Sequence, residues 1–434
     1  SATSADVAET PRKGFDLSMP IFIFLALLLT ALVALPLFWI IFYSFRSDTG
    51  AGATLENFIA LVTDSTLLQA YGLAIGMSLA VGVLSCVVAT PMAWLVARTD
   101  LPGRKWIRML VTASFVTPPF LGAIAYEILA APNTGLANVI YRKIFGLDQS
   151  AVLVNIYTFT GLVFAIACFT FPYVFTLVSN ALDKVPSDLE DASSILGGNA
   201  MTTLRKVTIP MVLPAMLAGT LIAILQSLTM FGSPAIIALP AGFHVITTKI
   251  WSLFQFPPRL GLAAASAIPL LILTFILLQT QKAILGRKGY TAPRLTKLGR
   301  WKWAAIAFVL IVLSLTIFFP YLALVKTAFT NTVGDPVTWD TLTFKHWNFV
   351  LFEFSATRLA MWNTMLLGVL TATAVTAIAL VVSYLVVRRS VTGSKYLGCS
   401  QRLRSQFPAS FWASACSSAM RIRLSSSMER SGFS

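Results

Sequence analysis

Residues 185–214 read VPSDLEDASSILGGNAMTTLRKVTIPMVLP. This charged stretch follows one long apolar run, 149–182, and leads into another, 207–248, in a chain that is 57% apolar overall. Ser187 followed three residues later by Glu190 predicts a capping box, in which each side chain satisfies a backbone donor at the start of a helix. Leu189, Ala192 and Leu196 then recur on one helical face. Gly197 and Gly198 predict its end, since glycine takes the left-handed conformation there without a steric penalty. Asn199 predicts the cap of a second short helix that carries Met201, Leu204 and Val207 and stops before Pro210. The stretch reads as a small helix-turn-helix with an apolar face.

Its surroundings are membrane. Mean hydropathy is +0.79 and only 11% of residues are charged, whereas a water-facing surface calls for about a quarter. Uncharged runs at 20–45, 65–97, 109–126, 149–182, 207–248, 260–281, 303–325 and 359–387 each approach or exceed the ~18–20 apolar residues a helix needs to cross hydrocarbon, where backbone polar groups must pair internally. Eight spanning helices are expected. The first run is longer than the apolar core of a signal peptide and lacks a small-residue cleavage site after it, so it reads as a retained anchor.

The formal charge of +15 is unevenly spread. With the N-terminus inside, the inner segments carry Arg12 and Lys13, Arg98 to Arg108, Lys184 with Arg205 and Lys206, the basic run from Lys282 to Lys302, and Arg388 to Lys395; the outer segments carry fewer bases. That bias is the positive-inside pattern, and it sets a cytoplasmic N-terminus and a cytoplasmic 185–214 stretch. The run KAILGRKGYTAPRLTKLGRWK reads as a linker beside anionic lipid rather than as a nucleic-acid patch. Cys86 and Cys168 fall mid-span and read as buried, inert thiols; with Cys399 and Cys416 they form no disulfide framework or zinc pattern. His244 and His346 are far apart in loops, so no metal site is expected from them.

For the helix-turn-helix, lying flat on lipid headgroups is one use of its apolar face. Asp183, Asp188, Glu190 and Asp191 argue against that, because anionic lipid repels them; a protein partner fits better. Asp191-Ala192-Ser193, three residues, Gly197, nine residues, then Val207-Thr208-Ile209-Pro210 resembles the EAA loop of binding-protein-dependent ABC importer permeases, whose pattern is E-A-A-x3-G-x9-I-x-L-P. Here Asp replaces Glu, Ser the second Ala, and Ile the Leu. The resemblance implies a coupling loop, residues 185–210, that docks on a cytoplasmic ABC ATPase. Its contact set would be Glu190, Asp191, Ala192, Ser193, Gly197, Val207, Ile209 and Pro210.

The chain also repeats itself. WLVARTDLPGRKWI (94–107) aligns with YLVVRRSVTGSKYL (384–397) at an offset of 290, and PLFWIIFYSF (36–45) with PYLALVKTAF (320–329). With the resemblance, this implies an all-α polytopic membrane protein: a cytoplasmic N-terminus at 1–18, a six-helix MetI-like permease unit at 19–285, a basic linker at 286–302, and at 303–398 the first two helices of a second copy. Residues 399–434 break the pattern, with eleven serines and five arginines. They read either as a native disordered tail or as a frameshift: one base earlier, serine and arginine codons become apolar and small residues, and a spanning segment aligns with Leu110, Thr112, Ala113 and Pro118. In the second case the chain is a broken form of a protein with two complete halves.

Such fused halves resemble ferric-iron importer permeases, and FGSPAIIALPAGFHVITTKIW (231–251) resembles the iron group in particular; thiamine, polyamine or another small solute is the alternative. The resemblance implies a bacterial inner-membrane transport pore, not an enzyme, working with ABC ATPase subunits, a periplasmic substrate-binding protein and membrane lipid, and without nucleic acid. No G-x-x-x-x-G-K-[ST] occurs, so ATP belongs to the partner and the chain itself needs no cofactor. Candidate hinge or pathway residues are Pro118, Pro119, Pro172, Gly232 and Pro234, which loosen helices, with Glu127 and Gln226 as polar groups a pore could expose. A secondary transporter would want mid-membrane ionisable residues and no coupling loop; a membrane enzyme would want a His, Asp or Ser cluster at one face.

Overall fold

A computed structural model of the protein describes residues 18–47, 52–284, 298–335 and 337–388. The basic run from 285 to 297, the residues aligned at 389–397, and the Ser/Arg-rich segment from 399 onward lie outside the described residues, as do Arg12 and Lys13. Among the described residues there is no strand, and seven helices are long and apolar enough to cross a membrane.

From the N-terminus, the helices are α1 (Ser18–Ser44), α2 (Glu56–Thr63), α3 (Ser65–Arg98), α4 (Arg104–Ala113), α5 (Pro119–Ala130), α6 (Leu136–Phe145) and α7 (Phe159–Leu182). Two short helices, α8 (Ser187–Ile195) and α9 (Ala200–Thr203), lead into α10 (Ile209–Leu228), α11 (Gly232–Ile237), α12 (Ile246–Ser252) and α13 (Leu260–Ile284). The remainder are α14 (Lys302–Leu313), α15 (Phe319–Phe329), α16 (Lys345–Asn348) and α17 (Ser355–Arg388).

The chain divides into two units. One comprises residues 1–39 and 354–434; within it, Leu25 and Leu29 of α1 pack with Val382 of α17. The other, residues 40–353, is built around α7, which lies against α3 and α10. Asp64 starts α3 by accepting the Thr66 amide at 2.8 Å, and Thr158 starts α7 by accepting the Gly161 amide at 2.9 Å. Each satisfies one of the donors a helix start leaves open. At one end of α7 the core holds Val96, Ile107, Leu182, Val185 and Val309; toward the other it holds Met77, Ala123, Ile156 and Ile246.

Three expected spans differ from the structure. The run 109–126 is two helices, α4 and α5, because consecutive prolines at 118 and 119 remove two backbone donors and hold Pro118 extended at ψ 131°. The run 149–182 becomes helical only at Phe159; the apolar residues before it form a loop that Asn138 holds. That side chain is 0% exposed, donates to the carbonyls of Ala131 and Val154 at 2.8 and 2.7 Å, and accepts the amides of Leu153 and Val154 at 2.8 and 3.0 Å. The run 207–248 stops being one helix at Leu228, and Gly242 turns the loop beyond α11 with φ +81°.

Two helices contain a π turn six residues before a proline ends its influence: 204–208 ahead of Pro210, and 314–318 ahead of Pro320. In the second, the Phe319 amide bonds to Ser314 rather than Leu315, and the partner shifted onto Leu315 would be Pro320, which has no N–H. The Tyr126 hydroxyl of α5 donates to the Leu315 carbonyl at 2.6 Å and satisfies it.

Candidate functional site

At one end of the bundle α7 runs into the 185–210 stretch. Asp183, Lys184 and Val185 still donate backward, to Ser179, Ala181 and Leu182, so the link to α8 is short and wound. Helix α8 begins at Ser187 with Pro186 in the cap position. Ser187 is thus the first helical residue, one place inside the cap position expected for it.

The turn after α8 closes as a glycine end. Gly197 has φ +81°, and the amides of Gly197 and Gly198 bond back to Ser194 and Ser193. A side chain on Gly198 would come within 2.6 Å of Ser193 Oγ, so both glycines are needed, the first for its φ and the second for closeness. Asn199 caps the next turn, accepting the Thr202 amide at 2.8 Å. Ser193 Oγ and Thr203 Oγ1 meet at 2.7 Å and tie the two short helices into a hairpin. Its tip presents Ile195 and Leu196, 83% and 87% exposed, beside exposed Met201.

Glu190, Asp191, Ala192 and Ser193 lie in α8, Gly197 in the turn, and Val207 in the π turn, while Ile209 and Pro210 open α10. The stretch is anchored from α3 and α4. Arg98, the last residue of α3, is 1% exposed, and its Nη1 donates to the Val185 carbonyl at 3.3 Å. Arg108 of α4 forks onto the Asp183 carboxylate at 2.7 and 3.2 Å.

Farther into the bundle two helix breaks meet. Ser233 Oγ, at the start of α11, donates to the Pro119 carbonyl at 3.1 Å, and a side chain on Gly232 would come within 2.8 Å of Phe120 Cβ. Around this junction, Gln226 Nε2 donates to the Tyr173 hydroxyl at 3.0 Å, the Tyr173 ring packs edge-on against Phe115 at 4.8 Å, and the Thr117 and Tyr321 hydroxyls are hydrogen-bonded. The Pro118–Pro119 break is thereby brought against the Gly232–Pro234 start of α11, while Gln226 is tied to Tyr173 of α7. Pro172 lies within α7, which stays helical through it.

Glu127 lies elsewhere, near the C-terminal end of α5, accepting from the Tyr157 hydroxyl at 2.6 Å. Burial, reinforced by that hydrogen bond and by the Glu127 charge, pushes the Tyr157 phenol up to about 12. In the loop before α12, burial and then the nearby Lys249 charge hold His244 below its ordinary range. Among the described residues no group of three or more His, Cys, Asp or Glu could hold a metal ion.

Sequence reasoning passed over Arg98, Arg108 and Asn138. A basic residue ending an apolar helix was read as topology alone, and nothing local says that it folds back into the core.

Residues 89–290 match the family described as "Binding-protein-dependent transport system inner membrane component". The molybdenum transport system permease protein ModB of Haemophilus influenzae is 31% identical over 166 residues, covering 37% of this chain and 69% of that protein. The chain belongs to this permease family. It is a multi-pass inner-membrane transport pore and not an enzyme. The sulfate transport system permease protein CysT of Salmonella typhimurium is 28% identical over 220 residues, 50% of this chain and 76% of that protein. Among solved structures, a bacterial ABC transporter that imports the acidic polysaccharide alginate has 16% identity and a TM-score of 0.49, covering 62% of this chain and 94% of that one.

Proposed function

We propose that this ABC importer permease carries a small inorganic oxyanion of the sulfate or molybdate class. The observation that carries the reading is its likeness to permeases named for sulfate and molybdenum transport. The chemistry at the paired breaks agrees: Thr117, Tyr321, Tyr173, Gln226 and Ser233 are neutral hydrogen-bonding groups, which suit passing contact with an oxyanion better than ligation of a hard trivalent cation. Ferric iron is the second reading, favoured by the resemblance of residues 231–251 to the iron group.

In this reading a periplasmic binding protein delivers the ion, and two ABC ATPase subunits on the cytoplasmic side drive transport. The 185–210 hairpin docks on an ATPase through Ile195, Leu196 and Met201, with Asp191, Ala192, Ser193 and Gly197 shaping α8. Val207, Ile209 and Pro210 pass its displacement into α10. ATP binding drives transport only because the ATPase pair binds two permease conformations with different affinity. The N-terminus is cytoplasmic, residues 19–285 form one permease half, and residues 303–398 begin the second.

Uptake of radiolabelled sulfate, molybdate and ferric iron into cells producing the full transport system tests the substrate. Expected is oxyanion uptake abolished by deleting residues 188–207, with the ATPase no longer copurifying. Iron uptake without oxyanion uptake selects the second reading; an ATPase that still copurifies with the deletion refutes docking.

A further inference from the structure

The α3–turn–α4 corner grips two parts of the unit, the link from α7 to α8 and the residue ahead of the 3-10 turn before α14. Arg98 holds the Val185 carbonyl, Arg108 holds the Asp183 carboxylate, and Asp100 Oδ1 accepts the Leu298 amide at 3.0 Å, just ahead of α14. The first two act on Asp183 and Val185, two of the four residues that join α7 to α8. They do so with different chemistry. Arg98 is buried, and a buried guanidinium persists only where its charge is offset; here the carbonyl end of α7 supplies the negative end of a helix dipole. Arg108 is part-exposed and makes the two-pronged carboxylate contact that a lysine cannot reproduce.

Asp183 and Val185 flank Lys184, and all three amides are committed to the last turn of α7. Displacing the Asp183–Val185 link relative to α3 and α4 therefore requires breaking both arginine contacts; keeping them requires α3 and α4 to follow the link. Helix α4 leads, through the three-residue 3-10 turn at 114–116, straight to the break at Thr117 and Pro118.

We propose that Arg98 and Arg108 are positioning residues that fasten the start of the 185–210 hairpin to α3 and α4, so that a displacement of the hairpin is delivered to the helix break at Thr117–Pro119. The proposal rests on the reading of 185–210 as the ATPase-docking segment. Neither arginine touches the ATPase or the transported ion; both act through Asp183 and Val185.

The test uses the full chain with its ATPase in lipid nanodiscs and proteoliposomes. Arg108→Gln and Asp183→Asn are each expected to raise amide exchange across 186–196 by about tenfold while the interior of α3 and α7 stays within about twofold. The ATPase remains bound, and ion transported per ATP hydrolysed falls by about tenfold. Arg108→Asp combined with Asp183→Arg restores both readouts toward the unsubstituted chain. Arg98→Lys, which keeps the charge and one donor, gives a smaller loss of transport per ATP than Arg98→Leu.

Exchange and transport per ATP unchanged in both single variants overturn the proposal, as does a charge-swapped pair no better than either single variant. Exchange that rises equally through α3 and α7 also overturns it, because the contact is then only structural. An ATPase that fails to bind even the unsubstituted chain refutes the docking reading, whereas the exchange measured on the chain alone still reads the arginine contacts.

Discussion

Gly219→Ala is the substitution whose effect follows most directly from the packing of α10 on α7. A β-carbon on Gly219 would lie 2.8 Å from Val174 Cα and 3.4 Å from two of its side-chain atoms. Ordinary contact begins at 3.4 Å, so the helices must part by about 0.6 Å. The nearest atom is backbone, which no rotamer change can move aside. Small residues at helix crossings permit this closeness, and inserting a methyl into such a packed site costs ~1–3 kcal/mol. Alanine also gains up to ~1 kcal/mol in helix propensity over glycine, which would hide part of the loss. Gly72→Ala removes that ambiguity, since Gly72 lies in α3 with nothing within 4 Å of a β-carbon. Propensity then cancels, and Gly219→Ala should be ~1–3 kcal/mol less stable than Gly72→Ala. Reversible unfolding in mixed detergent micelles, followed by circular dichroism, measures the difference. Adding Val174→Ala should not recover it, because the clash is with Cα. By contrast, the Gly82→Ala clash is with the Ile224 side chain and should be relieved by Ile224→Ala. Equal stability of the Gly219 and Gly72 variants would refute this account of the α7–α10 contact.

Other outcomes follow from the same structure. Asn138→Leu strands the Val154 carbonyl and the amides of Leu153 and Val154, the Ala131 carbonyl keeping the Gly135 amide, and should cost about 3 kcal/mol or more; protease cutting between residues 146 and 156 reads the loosened loop. His244, pushed below its ordinary range by burial and then by the Lys249 charge, binds its proton less readily folded than unfolded. Its contribution is therefore constant well above the ordinary histidine value of 6.5 and becomes destabilising as pH falls below it, until the folded form also protonates. Unfolding measured between pH 7.5 and 5 should show that slope flattened by Lys249→Gln, with an unchanged slope counting against it. Ile195→Asp or Leu196→Asp should leave thermal stability within about 0.5 kcal/mol, since both side chains are exposed, yet abolish copurification of the ATPase.

The hairpin was legible because its signals are local. A glycine that needs φ +81° and an asparagine that caps a turn act within four residues of themselves. The helix start differs by one residue from the Ser187-Glu190 spacing for an equally local reason, since Pro186 takes the cap position. Apolar runs were less informative. Hydropathy cannot separate a spanning helix from an apolar loop whose backbone is satisfied by a distant side chain, as Asn138 does for 153–154. The two prolines at 118 and 119 were noticed as a weakness, but only the structure brings their break against the start of α11. Arg98 was least legible of all, because its partner is a backbone carbonyl 87 residues away, which leaves no mark in composition or period.

The bond from Tyr126 to the Leu315 carbonyl has a consequence for biogenesis. A ribosome delivers α5 to the bilayer long before residue 315 exists, and the two partners are separated by 189 residues of chain. Until that later helix arrives, the Tyr126 hydroxyl must borrow a partner from lipid headgroups or water, and when the proline-shifted turn does arrive its donor is already waiting in α5. Insertion of the early helices therefore leaves a vacancy that only a much later stretch of the same chain can fill, and chaperoning of that interval becomes part of what the sequence requires of its membrane.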